Sequence, residues 1–142
     1  MNQLNYASLE ASKRLVDAGI VIKSEKIWAS VPNPYNVDRE GNSLPHWKLI
    51  DPPLYPYKEQ IPAPSMTEVW RELPEGFEYI SKFDYESSHA YLCLTKSRKG
   101  DNTTFASYFL PDDKAVCGSK KHDANPTDAL IDLLVWVRKE QP

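Results

Sequence analysis

The sequence is 142 residues long and carries 20 acidic against 17 basic residues, which gives a formal net charge of −3. A chain of this length can bury one hydrophobic core, so we expect a single domain over residues 1–142 that needs neither metal nor disulfides to fold. The negative balance disfavours a protein whose main task is to hold nucleic acid.

The termini and the cysteines indicate the compartment in which the chain works. The N-terminal residues lack the basic and then apolar layout of a secretory signal, and no window of the sequence is apolar enough to cross a bilayer. Cys93 and Cys117 are the only two cysteines, which is unlike the disulfide-rich pattern of small secreted domains, although a single bridge between them stays open. We therefore expect a cytoplasmic protein that has no membrane partner.

Three helices are predicted from capping residues and apolar spacing. The first covers residues 5–18, where small and aliphatic side chains recur on one face. The second begins with a capping box formed by Ser65 and Glu68. The third begins after Asn125, a good N-cap, and the spacing of its apolar residues assigns Asp128 to the exposed side.

Alternating apolar and polar residues predict the strands. They cover residues 26–35, 46–50, 76–85, 89–95 and 104–110, with a short edge strand at 115–117. A turn at residues 38–42 joins the first two strands as a hairpin. Because alternating strands and one-sided helices bury only one face each, we expect an α+β fold, with a mostly antiparallel sheet of about five strands and two or three helices on one face.

Residues 32–64 form the most unusual stretch, since they hold 8 of the 12 prolines. Proline removes an amide donor, so neither a helix nor a long central strand can run through this stretch. Irregular segments held on a rigid scaffold are where recognition residues accumulate. The candidate binding residues are Trp28, Tyr35, Trp47, Tyr55 and Tyr57, together with Arg98 on a basic hairpin tip. The same aromatic side chains could instead form a lid over a small core, and residue type alone leaves both alternatives open.

No pattern in the sequence indicates catalysis or a bound cofactor. His46, His89 and His122 could contribute to a metal site, but no second Cys/His pair completes four ligands at zinc-finger spacing. His89 and Cys93 lie on one predicted strand more than about 10 Å apart, at roughly 3.3 Å per residue, which is too far for a direct catalytic pair. Glycine-rich phosphate loops are missing. We therefore expect no catalytic residue, no metal and no cofactor.

Three stretches of the sequence together resemble a known group of proteins. They are residues 8–19, residues 62–74 with their Pro-Ala-x-Ser start and Leu-Pro end, and residues 126–136. In that order they resemble small uncharacterised proteins of phages, prophages and gut-bacterial mobile elements, which have a proline-rich middle and a closing amphipathic helix. The resemblance implies a fold and a genomic setting rather than a site, because the matching positions are cap, stop and core positions.

Together these observations predict a non-catalytic accessory protein of a phage or mobile element that acts by binding a host protein, or a second copy of itself. The alternative is a protein that sequesters a nucleotide-like or other small anionic ligand by stacking on aromatic side chains and pairing with Arg or Lys. A small enzyme is the third hypothesis.

Overall fold

The structure, a computed structural model, describes residues 5–80, 87–96, 103–112, 114–116 and 118–140. Across these residues the chain forms three helices and seven strands, which belong to two antiparallel sheets. The predicted α+β class is confirmed. The strands divide between two sheets, however, whereas the sequence predicted one sheet of about five strands.

Along the chain the three helices flank a run of three strands and a run of four. In order they are α1 (Leu9–Asp17), β1 (Ile27–Val37), β2 (Ser43–Ile50), β3 (Gln60–Pro62), α2 (Met66–Glu72), β4 (Gly76–Ile80), β5 (Ser87–Lys96), β6 (Thr104–Phe109), β7 (Lys121–Asp123) and α3 (Pro126–Glu140). The first sheet has the order β2-β1-β3 and the second has the order β4-β5-β6-β7. Helix α3 packs on β6 and β7 of the second sheet, and α1 packs on α3 and reaches β3 of the first.

All three helices begin at side chains that satisfy the free amides of a first turn. Ser8 caps α1 by accepting an amide N–H three residues on, at 3.1 Å. At the start of α2 the predicted capping box is present, with Ser65 Oγ accepting from the Glu68 amide at 3.2 Å and Glu68 Oε1 accepting from the Ser65 amide at 2.8 Å. Asn125 Oδ1 accepts an amide N–H of α3 at 2.9 Å. The caps predicted at Ser65 and Asn125 are confirmed, whereas the first helix begins at Leu9 after its Ser8 cap and not at residue 5 as predicted.

The core is built around α3, which buries side chains on most of its circumference. Its fully buried residues are Thr127, Ala129, Leu130, Ile131, Leu133 and Leu134. Val69 of α2 and Tyr108 of β6 are also fully buried in this core. Burial raises the pKa of Tyr108, and its hydroxyl donates to the Pro74 carbonyl at 2.6 Å. The phenol therefore stays a hydrogen-bond donor while its ring fills the core.

Asp128 lies in the core region and not on the exposed side of α3, so that sequence prediction was wrong. Asp128 is only 5% exposed, and its Oδ1 accepts a hydrogen bond from the Ser8 amide at 2.8 Å. The start of α1 covers this first turn of α3, which the spacing within α3 alone could not show. Burial raises the pKa of Asp128, opposed by its hydrogen bonds with Ser8.

Two strands, β3 and β7, were missed because each is only three residues long. So short a run carries no recognisable period-two pattern. The predicted edge strand at 115–117 is reduced, in the described part of the chain, to one bridge between Ala115 and Phe109. Cys117 lies outside the described residues. The same is true of residues 81–85, which form the end of the strand predicted over 76–85.

Leu130→Ala should reduce the free energy of unfolding by about 2–5 kcal/mol, because it removes a fully buried side chain and leaves a cavity. Val21→Ala is the control, since Val21 is 86% exposed and its loss should change stability by no more than about 0.5 kcal/mol. Urea unfolding of both variants measures the difference. Equal losses would show that the core does not lie around α3.

The Asp128 carboxyl should make stability depend on pH. Because its pKa is raised above the ordinary 3.8 in the folded state, the folded protein binds this proton more tightly than the unfolded chain does. Its contribution to the free energy of unfolding should therefore fall as the pH rises from 3.8 through the raised pKa, and then level off. Urea melts of the protein and of Asp128→Asn across this range should show that the step is lost in the variant. A step of the opposite sign would contradict the assignment.

Candidate binding surface

Strand β1 continues through Pro32 and Pro34 to Val37 and is the middle strand of its sheet. The expectation that no long central strand enters residues 32–64 was therefore wrong, because these prolines lie beyond the part of β1 that β3 covers.

The hairpin of β1 and β2 extends as an arm beyond the rest of its sheet. Strand β3 pairs with β1 only over Ile27–Ala29, whereas β2 pairs with β1 as far as Val37. At about 3.3 Å per residue, residues 31–37 extend the arm by roughly 20 Å past β3. A two-stranded ribbon has little stability of its own. The arm therefore depends for support on its base, where β3 pairs with β1.

Asp38 holds the turn at the end of this arm, where the sequence predicted one. Its Oδ1 accepts from the amides of Glu40 and Asn42, both at 2.9 Å. The backbone hydrogen bond from Asn42, supported by that from Glu40, lowers the pKa of Asp38. Gly41 has a φ of 84°, a left-handed conformation that glycine adopts without strain. The carboxylate of Asp38 therefore stabilises the turn.

The proline-rich connection, residues 51–59 between β2 and β3, is fixed at both ends and exposed in its middle. At its start Asp51 forms an ion pair with Lys26. At its end the Ser30 amide donates to the Glu59 carbonyl at 3.0 Å. Between these anchors Leu54 is 89% and Tyr55 82% exposed. The connection is thus held in place while it presents apolar side chains to solvent.

Exposed apolar side chains are concentrated in the arm and the connection. Among the described residues ten large apolar or aromatic residues are exposed, and five of them lie between residues 35 and 57: Tyr35, Val37, Leu54, Tyr55 and Tyr57. We call these five residues the aromatic surface. Leu54 and Val37 were not among the predicted contacts. Leu54 could have been identified from its prolines. It follows Pro52 and Pro53 and precedes Pro56, in a segment that cannot join a sheet and therefore stays exposed.

The two predicted tryptophans differ from the exposed residues because they contact α1 or the residues that lead into it. The register places Trp28 and Trp47 on one face of the first sheet. Trp28 Nε1 donates to the Ala7 carbonyl at 2.9 Å, and the Lys13 ammonium lies 5.4 Å from the centre of the Trp47 ring. Both tryptophans are half-buried. They join the first sheet to the helices, whereas Tyr35 and Tyr55 face solvent.

Groups with catalytic chemistry do not converge in the part of the chain that is described. His89 Nδ1 lies 3.6 Å from Glu78, and its ring packs against Tyr91 on the outer face of the second sheet. Cys93 carries a free thiol on the same face of β5. Within the described ranges no three Cys, His, Asp or Glu residues are arranged to hold a metal ion. Arg98, the remaining predicted contact, lies outside them.

None of the described helices is long and apolar enough to span a membrane. Comparison of the chain with protein-family models, with curated proteins and with solved structures gives no match. The function of the chain must therefore be argued from its own geometry.

Trp28→Ala should destabilise the protein by at least about 2 kcal/mol, because it removes a half-buried ring and its hydrogen bond to Ala7. Tyr55→Ala should change the free energy of unfolding by less than about 0.5 kcal/mol, because the ring is solvated. Urea unfolding of the two variants measures both changes in the free energy of unfolding and so distinguishes a side chain that supports the fold from one that is only exposed. A loss in Tyr55→Ala as large as that in Trp28→Ala would place the connection in the core.

Proposed function

We propose that the chain is a non-catalytic binding protein that recognises a host protein through its aromatic surface, as an accessory protein of a phage or mobile element would. The observation that supports this proposal is the exposure of Leu54 and Tyr55, at 89% and 82%, between two anchored ends of one connection. The genomic setting comes from the resemblance of three sequence stretches to phage and mobile-element proteins.

The energetics of the exposed side chains favour binding. Fully burying a leucine or an aromatic side chain contributes about 1.5–3 kcal/mol of favourable free energy. The exposed side chains do not contribute this free energy to folding, so it can contribute to the binding of a partner that buries them. Clustered apolar exposure marks contact sites on soluble proteins, and tyrosine is enriched where binding energy concentrates. Because the connection is anchored by Asp51 and Glu59, it loses less conformational freedom on binding than a loose loop.

The partner surface that fits is an apolar groove with a polar rim. Leu54 and Tyr55 lie at a bend that follows Pro52 and Pro53. Two neighbouring apolar side chains displayed at such a bend are suited to a pocket or groove on a folded protein. Lys58 and Glu59 are exposed close by and supply both signs of charge for the rim.

A small anionic ligand is the second candidate, supported by an open cavity of about 430 Å³ beside α3. Trp136 and the cations Arg14, Lys121 and Lys139 line it, as stacking and charge pairing with such a ligand would require. Asp132 already pairs with Arg14 at 2.9 Å, which reduces the positive charge there. Protein binding is therefore the better supported function.

Capture from a host lysate should test the proposal. The unmodified protein should retain a specific partner, and the double variant Leu54→Ser/Tyr55→Ser should weaken that interaction by about 10-fold or more, since two exposed anchors are lost. Val21→Ser is the matched control, because Val21 is 86% exposed but lies outside the aromatic surface. Quantitative mass spectrometry of the captured proteins measures the effect.

Unfolding in urea should be the same for all three proteins, which separates a lost contact from a lost fold. A partner that is retained by the double variant, or lost equally by Val21→Ser, would contradict the aromatic surface as the contact. If AMP at millimolar concentration raised the Tm of the protein but not of Trp136→Phe, the small-ligand candidate would replace the proposal.

A further inference from the structure

Strand β5 is longer than its neighbour β4, so part of its edge is open. The pairing of β4 with β5 ends where Gly76 meets Tyr91, and the Leu92 amide then donates to the Glu75 carbonyl at 3.0 Å. On the other side β6 pairs with β5 as far as Lys96. Residues 93–96 therefore have a neighbouring strand on one side only, as far as the described residues go.

The hydrogen bonds of β6 show which backbone groups face this open edge. The Tyr108 amide and carbonyl engage Ser119 Oγ at 3.3 Å and the Val116 amide at 2.8 Å, on the side away from β5. In an antiparallel pair the direction of these groups alternates along each strand. Leu94 and Lys96 consequently direct their N–H and C=O groups away from β6, towards the open edge.

An apolar groove of about 350 Å³ runs beside the same edge. It lies between α2 and β5 and is lined by Met66, Thr67, Trp70, Leu92, Cys93 and Leu94. Trp70 is 39% exposed, so part of its ring is open to solvent beside the groove. Unsatisfied main-chain groups next to an apolar groove are the features that an added β-strand requires.

We propose that the open edge of β5 pairs with the same edge of a second copy of this chain. An antiparallel pair with its two-fold axis at Thr95 places Leu94 of each copy opposite Lys96 of the other. Each such pair exchanges two backbone hydrogen bonds, so four bonds satisfy the groups that the edge leaves open. The two four-stranded sheets then become one sheet of eight strands, and the inference is independent of the aromatic surface.

The edge is complementary to itself, which is why the occupant is a second copy. Paired residues in an antiparallel ladder point to the same face, so the two grooves lie on one side and the half-exposed Trp70 side chains flank the axis. Lys96 and Glu75 are both exposed and stand at opposite ends of the edge. Antiparallel pairing brings each lysine towards the glutamate of the other copy, about two residues or roughly 7 Å away along the strand.

The arm is protected against such pairing. Pro32 and Pro34 lie in β1 and Pro45 lies in β2, and proline removes the amide that an added strand would need. Residues 92–96 of β5 contain no proline, and their pairing with β6 has no bulge. This contrast favours β5 over the strands of the arm as the strand that accepts a neighbour.

Sedimentation velocity and native mass spectrometry should test the proposal at total concentrations from about 1 to 200 µM. The protein should form dimers, and Lys96→Glu or Glu75→Lys alone should raise the dimer Kd by about 10-fold or more through like-charge repulsion. The double variant Lys96→Glu/Glu75→Lys restores opposite charges and should return the Kd to within about 3-fold of the original. Lys48→Glu, an exposed lysine of β2, is the control and should leave the Kd unchanged.

Leu94→Pro should abolish the dimer, because it removes an edge amide that makes no bond to β6. Circular dichroism shows whether Leu94→Pro is still folded. If it is not, the charge variants still test the dimer, because they change only exposed residues. A monomer at every concentration would overturn the proposal. A dimer insensitive to both charge reversals, or not rescued by the double variant, would do the same. Leu54→Ser/Tyr55→Ser should remain dimeric, which separates this test from that of the proposed function.

Discussion

The burial of α3 on most of its circumference is the constraint on which the rest of the structure depends. Consecutive residues such as Leu130 and Ile131, and again Leu133 and Leu134, are fully buried, so no single surface can cover the helix. The second sheet covers one side, and α1 and α2 cover others. The first sheet is then attached through α1 and the residues that lead into it, by the hydrogen bond from Trp28 to Ala7 and the contact of Lys13 with Trp47.

The parts of this fold that were predictable from the sequence are those that neighbouring residues specify. Ser65 and Glu68 satisfy each other's amides across three residues, and Asp38 holds its own turn, so both could be identified from local pattern. The position of Asp128 could not, because α1 covers it from 120 residues away in the sequence. Likewise, β3 and β7 exist through pairing with β1 and β6, and their three residues carry no pattern of their own.

The candidate surface shows the same division. A concentration of aromatic residues and prolines was visible in the sequence, but which of them face water was not. Trp28 and Trp47 are positioned by Ala7 and Lys13, which are distant in the sequence, while Leu54 and Tyr55 remain exposed between the anchors at Asp51 and Glu59. The groove beside Trp70 depends on the lengths of β4 and β5 and on where α2 ends, and no property of a single segment encodes it.

Anchoring the proline-rich connection at its two ends has a consequence for how this chain can diverge. Asp51 and Glu59 fix the points at which the connection leaves and rejoins the first sheet, so the residues between them carry little of the folding free energy. Positions 54–57 can therefore change in sequence while the interior stays intact. The architecture lets these exposed residues diverge faster than the framework that displays them.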